Sequence, residues 1–132
     1  MRHPTHRLRA FTLIEITLVL AILIGLAAMG SLTATQYWHY RDARDAGDSL
    51  RAVKNAQRLY LADHPLDSVA NLTQADLLPY MPNSVWPVLP STVDGSAVPT
   101  ISFNVFPPVA TVGGTTYDPT PSTTDGLWDS GK

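Results

Sequence analysis

Apolar positions follow three different rhythms along the chain, and each predicts a different element. From Phe11 to about Ala34 apolar residues run almost unbroken, with an uncharged core at Ile16–Ala28. Coiled as a helix, that length spans a hydrocarbon layer of about 30 Å. From residue 35 to 63 there is no proline, and Ala46, Leu50, Val53, Ala56 or Gln57, and Tyr60–Leu61 recur at spacings of three or four. That spacing is the stripe of an amphipathic helix. Asp42, Arg44, Asp45, Asp48, Arg51, Lys54 and Arg58 occupy its other face, and Pro65 ends it at or before His64. One helix over residues 11–63 would measure about 80 Å at 1.5 Å per residue.

The third rhythm lies in residues 64–132. Thr73-Gln74-Ala75-Asp76 has the form of a capping box and predicts a short helix to about Tyr80. Pro82, Pro87 and Pro90 then impose extended or turning chain. From Thr100 to Phe106 the residues alternate, with Ile101, Phe103 and Val105 expected on one face. Val109–Val112 and Thr115–Tyr117 flank Gly113-Gly114, the signature of a tight hairpin. The predicted class is α+β, with a long N-terminal helix packed against an antiparallel sheet of two to three strands. Four segments follow: a leader at 1–10, a membrane or filament-core helix at 11–34, its amphipathic continuation at 35–63, and a loop-rich β domain at 64–132. The tail from Asp118, rich in Pro, Ser, Thr, Gly and Asp, reads as a flexible acidic strap with Trp128 as its one anchor.

Composition narrows the reading. Of 132 residues, 45% are hydrophobic and 15% charged, and there is no cysteine, so neither disulfide staples nor thiolate metal sites are available. The portion outside the apolar block is roughly 90 residues, enough for only a modest core. The formal net charge is −2, which advertises no nucleic-acid surface. The charge is uneven, however. Arg2, Arg7 and Arg9 precede the apolar block and no acid does, which sets a cytoplasmic N-terminus by the positive-inside rule. Beyond it, Tyr37, Trp38 and Tyr40 suit the opposite membrane–water interface. Without the leader, six basic residues face eleven acidic ones, 6 − 11 = −5.

Glu15 does not belong in a plain anchor. A carboxylate in an apolar span costs a few kcal/mol to insert, and such residues are usually paired and functional. No basic residue lies within its reach on the apolar helix. Removal of the leader would create a new positive charge at the α-amine of residue 11. That amine is a natural partner for Glu15, supplied by a neighbouring copy. A secretory signal peptide accounts for the block less well, because its apolar core runs about 7–15 residues and has no use for a glutamate. An uncleaved signal anchor on another domain is the other plain alternative. Gly25, Gly30 and Gly47 interrupt the helix, either as points of close approach or melting or as tolerated small residues.

Arg9-Ala10-Phe11-Thr12-Leu13-Ile14-Glu15, followed by the apolar run, resembles the processing motif of type IV prepilins and of type II secretion pseudopilins. The resemblance implies cleavage between Ala10 and Phe11 by a membrane prepilin peptidase, methylation of the Phe11 amine by the same enzyme, and an assembly role for Glu15. The family prefers glycine before the cut. Ala10 is small enough that cleavage is expected, at a slower rate. Further implications are a bacterial inner-membrane protein with one span and a periplasmic C-terminal domain, a helical homo-oligomer, and minor pseudopilins, an assembly platform and an ATPase as partners.

Little in the chain points to catalysis. There is no phosphate-binding glycine loop and no local nucleophile signature. His39 and His64 stand apart, and His3 and His6 lie in the leader. Asp118, Asp125 and Asp129 bring carboxylates to a loop, and such oxygens suit calcium. Major pseudopilins are similar in carrying a calcium loop near the C-terminus, so calcium is the one cofactor left open. Asn71-Leu72-Thr73 fits a glycosylation triplet that is common by chance. The sequence therefore reads as a filament subunit rather than an enzyme. Short length, a small sheet and the lack of cysteine favour a secretion pseudopilin over a subunit of a pilus for adhesion, motility or DNA uptake. A non-polymerising, membrane-anchored binding module is the reading of a different class.

Overall fold

A computed structural model describes residues 12–131. One helix, α1 (Leu13–Asp63), carries both apolar rhythms, and the chain divides along it into a unit up to Gln36 and a unit from Tyr37 onward. In the first unit the large apolar side chains from Leu13 to Met29 are all exposed. Its hydrogen bonds close within the helix, the form of backbone that a hydrocarbon layer tolerates. Among the described residues, α1 is the one helix long and apolar enough to cross a membrane.

The second unit is α+β. On α1, Ala43, Ala46, Leu50, Val53, Ala56 and Gln57 are buried, so the spacing of three and four marks the inward face. The chain then passes through a 3-10 turn at Val69–Asn71 into α2 (Gln74–Leu77), which tightens to 3-10 at Leu78–Tyr80. The Thr73 hydroxyl accepts the N–H of Asp76, and the Asp76 carboxylate accepts the N–H of Thr73, so the expected capping box is present. A three-stranded antiparallel sheet follows in sequential order: β1 (Thr100–Ser102), β2 (Val109–Val112) and β3 (Thr115–Thr116). Ile101 faces Ala110 across the first pair, and Val112 faces Thr115 across the second. Gly113 and Gly114 have φ of +58° and +84°, and positive φ at both central residues is what a two-residue hairpin of this hand requires.

Two groups of buried side chains hold the unit together. Ala43, Ala46, Leu50, Leu89, Ala110 and Trp128 form one, while Val53, Ala56, Leu72, Leu77 and Met81 form the other; Ile101 packs against both. Gln57 sits between strand and helix, where its Nε2 donates to the carbonyls of Phe103 at 2.6 Å and Val105 at 3.0 Å. Those carbonyls turn to a side chain instead of a strand. β1 ends at Ser102 and the chain bends over residues 104–107, so Val105 is exposed rather than facing inward beside Ile101 and Phe103 as the alternation predicted.

The tail, read from sequence as flexible with Trp128 as its anchor, packs on α1 through that residue. Gly126, Trp128 and Ser130 are buried, and the Trp128 ring stands edge-on to Tyr117 at 4.9 Å. Gly47 makes this fit possible, because a Cβ there would overlap the Gly126 carbonyl. Gly47 is thus a point of close approach, between helix and tail of the same chain.

Candidate functional site

Three regions carry the chemistry that the sequence marks. The first is the start of α1. Glu15 lies in its first turn, where a negative charge complements the helix dipole. Its neighbours on the surface are Ile16, Val19 and Leu20, which form a shallow apolar recess beside the carboxylate. Between Leu13 and Gln36 it is the one charged side chain. No basic group among the described residues pairs with it, since the ion pairs there are Arg41–Asp45 and Arg51–Asp48. The expected processing junction, Ala10 and Phe11, lies outside the described residues. At the other end of the apolar run, Tyr37, Trp38 and Tyr40 are exposed. Tyr37 meets Trp38 edge-on, and the Arg41 guanidinium stands 5.4 Å from the Trp38 ring centre.

The second region is the tail. Asp118 accepts the N–H and the hydroxyl of Thr120, and Asp125 accepts the N–H of Leu127. Asp129 accepts the N–H groups of Gly126 and Gly131. Each carboxylate is engaged in its own local turn, and among the described residues no three His, Cys, Asp or Glu side chains are gathered so as to hold a metal ion. The calcium set Asp118, Asp125 and Asp129 is thus not assembled as one cluster. One oxygen of Asp129 is buried without a hydrogen-bond partner.

The third region was not singled out by sequence reasoning. Arg51, Lys54, Asn55 and Arg58 line one side of a cleft of about 680 Å³, with Phe106, Thr124, Ser130 and Gly131 on the other. Arg51 pairs with Asp48 at 2.9 Å and its guanidinium lies against the Gly126 backbone. Lys54 donates to the Gly131 carbonyl at 3.2 Å. The spacing of 51, 54 and 58 would have revealed the cluster, but those residues read equally well as a solvated helix face.

Around the end of α1 lies an acidic knot. The Tyr60 hydroxyl donates to Asp67 and the Tyr80 hydroxyl to Asp63, both at 2.8 Å, while the two rings meet edge-on. The hydrogen bond to Asp67 pushes the Tyr60 phenol up to about 12, and that to Asp63 raises Tyr80. Asp76, held by Thr73, is lowered. In the loop before β1, hydrogen bonds from Thr92 and then Ser96 hold Asp94 down at about 2.

Comparison with family models, with curated proteins and with solved structures finds no match.

Proposed function

We propose that the chain is a structural subunit of a type IV filament, and within that class a pseudopilin of a type II secretion machine. The observation that carries the reading is Glu15, the one charged side chain between Leu13 and Gln36, on a stretch of α1 whose large apolar side chains from Leu13 to Met29 are all exposed. A helix with that surface needs surroundings of lipid or of other helices. A carboxylate within it needs a positive partner, because an unpaired charge in such surroundings costs several kcal/mol. The amine created by cleavage between Ala10 and Phe11, methylated and offered by a neighbouring copy, meets that need and sets the axial register of the bundle. The same apolar helix serves twice, first as a single span in the bacterial inner membrane with the N-terminus cytoplasmic, then as the filament core.

The α+β second unit supports the pilin-like reading, since its sheet and tail pack on the continuation of the same helix. Its small sheet and the absence of cysteine favour the secretion pseudopilus over a pilus. The role is assembly rather than catalysis. Extraction from the membrane would be driven by a partner ATPase and a membrane platform.

Intact-mass measurement of the protein from its native membrane tests the reading. The expected mass is that of residues 11–132 plus one methyl group. A full-length mass overturns prepilin-type processing and leaves a membrane-anchored module that does not polymerise.

A further inference from the structure

Residues 12–131 carry five basic and eleven acidic side chains, 5 − 11 = −6. Three of the five basic ones, Arg51, Lys54 and Arg58, line a single cleft. Among the described residues, no carboxylate pairs with Lys54 or Arg58, and Arg51 has Asp48 alone. A positive cleft is thus held open on a negative molecule.

The complementary surface is on the same unit. Asp63 and Asp67 are exposed, and Tyr80 and Tyr60 fix their positions by hydrogen bonds. No Lys or Arg among the described residues pairs with Asp63, Asp67 or Asp76. Along α1, five residues separate Arg58 from Asp63. At about 100° per residue that is about 140° around the helix, so cleft and knot point in widely different directions. A molecule cannot join the two surfaces to each other internally. Two copies can.

We infer that the cleft of Arg51, Lys54 and Arg58 is a docking site for the acidic knot of a second copy of this chain, Asp63 and Asp67 entering it. Used head to tail, two different, mutually complementary patches on one subunit make a contact that propagates, whereas a reciprocal pair with each knot in the other's cleft would stop at dimers. Arginine suits the cleft because its planar fork meets a carboxylate through two parallel hydrogen bonds. Phe106 and Thr124 also line the cleft, so an entering carboxylate meets an aromatic ring and a hydroxyl beside the cations. The contact rests on the filament reading for its setting, but its geometry belongs to the second unit alone and is independent of Glu15.

The test uses the full chain in its native host, with its own assembly machinery. Three variants are compared: K54D/R58D in the cleft, D63K/D67K in the knot, and all four changes together. Filaments are counted by electron microscopy, and the level and intact mass of membrane-held subunit are followed alongside. Each double variant is expected to lose most filaments while keeping wild-type level and mass, and the fourfold variant is expected to recover them. Because the chain has no cysteine, a second readout is clean: Lys54→Cys with Asp67→Cys, oxidised in the membrane, should give a ladder of multimers, whereas either single cysteine should stop at dimers. Normal assembly by the double variants, or no ladder from the paired cysteines, overturns the contact. A ladder without wild-type filaments supports the contact and instead overturns the filament reading.

Discussion

The main-chain N–H of Trp128 donates to the carbonyl of Ala43 at 2.9 Å, joining the tail to the middle of α1 across 85 residues of sequence. Trp128 holds this position with φ of +60°, a conformation that bulky side chains rarely adopt. Burial of its ring against Leu50, Leu89 and Ala110 offsets that strain.

Trp128→Ala should therefore be severe. Loss of a buried tryptophan costs about 3–5 kcal/mol. Denaturant unfolding of the detergent-solubilised protein should show that loss, and protease should cut the freed tail. A change under about 1 kcal/mol would mean that the tail is held by something other than the ring.

Glycine substitutions separate the two units. Gly47→Ala places a methyl on the Gly126 carbonyl and should destabilise by about 1–3 kcal/mol. Gly30→Ala meets nothing nearby and should stabilise α1 by up to about 1 kcal/mol. Thermal melts of the two variants should shift in opposite directions.

Gln57→Leu removes the donor to Phe103 and Val105 and leaves both carbonyls without it. The expected cost is about 1–3 kcal/mol, the usual penalty for stranding buried polar groups. Hydrogen exchange should quicken in β1 and spare the hairpin of β2 and β3.

On the filament reading proposed above, Glu15→Leu should improve membrane insertion while filaments disappear. Breaking one partner of a buried pair costs about 3–5 kcal/mol, on the order of a hundredfold or more in subunit association. Filament counts unchanged by this substitution would remove the glutamate from assembly.

Of the four shifted groups in the second unit, Asp94 and Tyr60 define its acid and alkaline limits. Asp94 has its folded value depressed from 3.8 to about 2. Its contribution is present above 3.8 and is lost as pH falls through about 2. Tyr60 is raised from 10.0 to about 12. The proton is held more tightly in the folded state, so this contribution is complete below 10.0 and fades as pH rises through about 12. Phenolate absorbance should show Tyr60 and Tyr80 titrating late, and Asp67→Asn should bring Tyr60 back toward 10.0.

Local signals carried the α+β class. The stripe at Ala46, Leu50 and Val53, the capping box at Thr73 and Asp76, and the glycine pair at 113 and 114 each act within a few residues, where periodicity and turn chemistry decide structure. The packing of the tail was not legible because Pro, Ser, Thr and Gly describe only local freedom. The contact that removes that freedom, Trp128 with Ala43, is non-local and has no local signature. The aspartates at 118, 125 and 129 are close in sequence, but each accepts N–H groups of its own turn, and among the described residues they form no metal-holding cluster. Arg51, Lys54 and Arg58 were visible as charges, but a cleft exists only once Phe106 and Gly131 are folded opposite them.

The late position of Trp128 also orders events during synthesis. Residues leave the ribosome from the N-terminus, so the apolar half of α1 emerges about a hundred residues before the ring that seals Leu50. A membrane can receive the span while the other unit is still an open chain. Translation arrest or cleavage before residue 128 would leave Leu50 and Ala110 without the ring that packs on them, although the apolar half of α1 is already made.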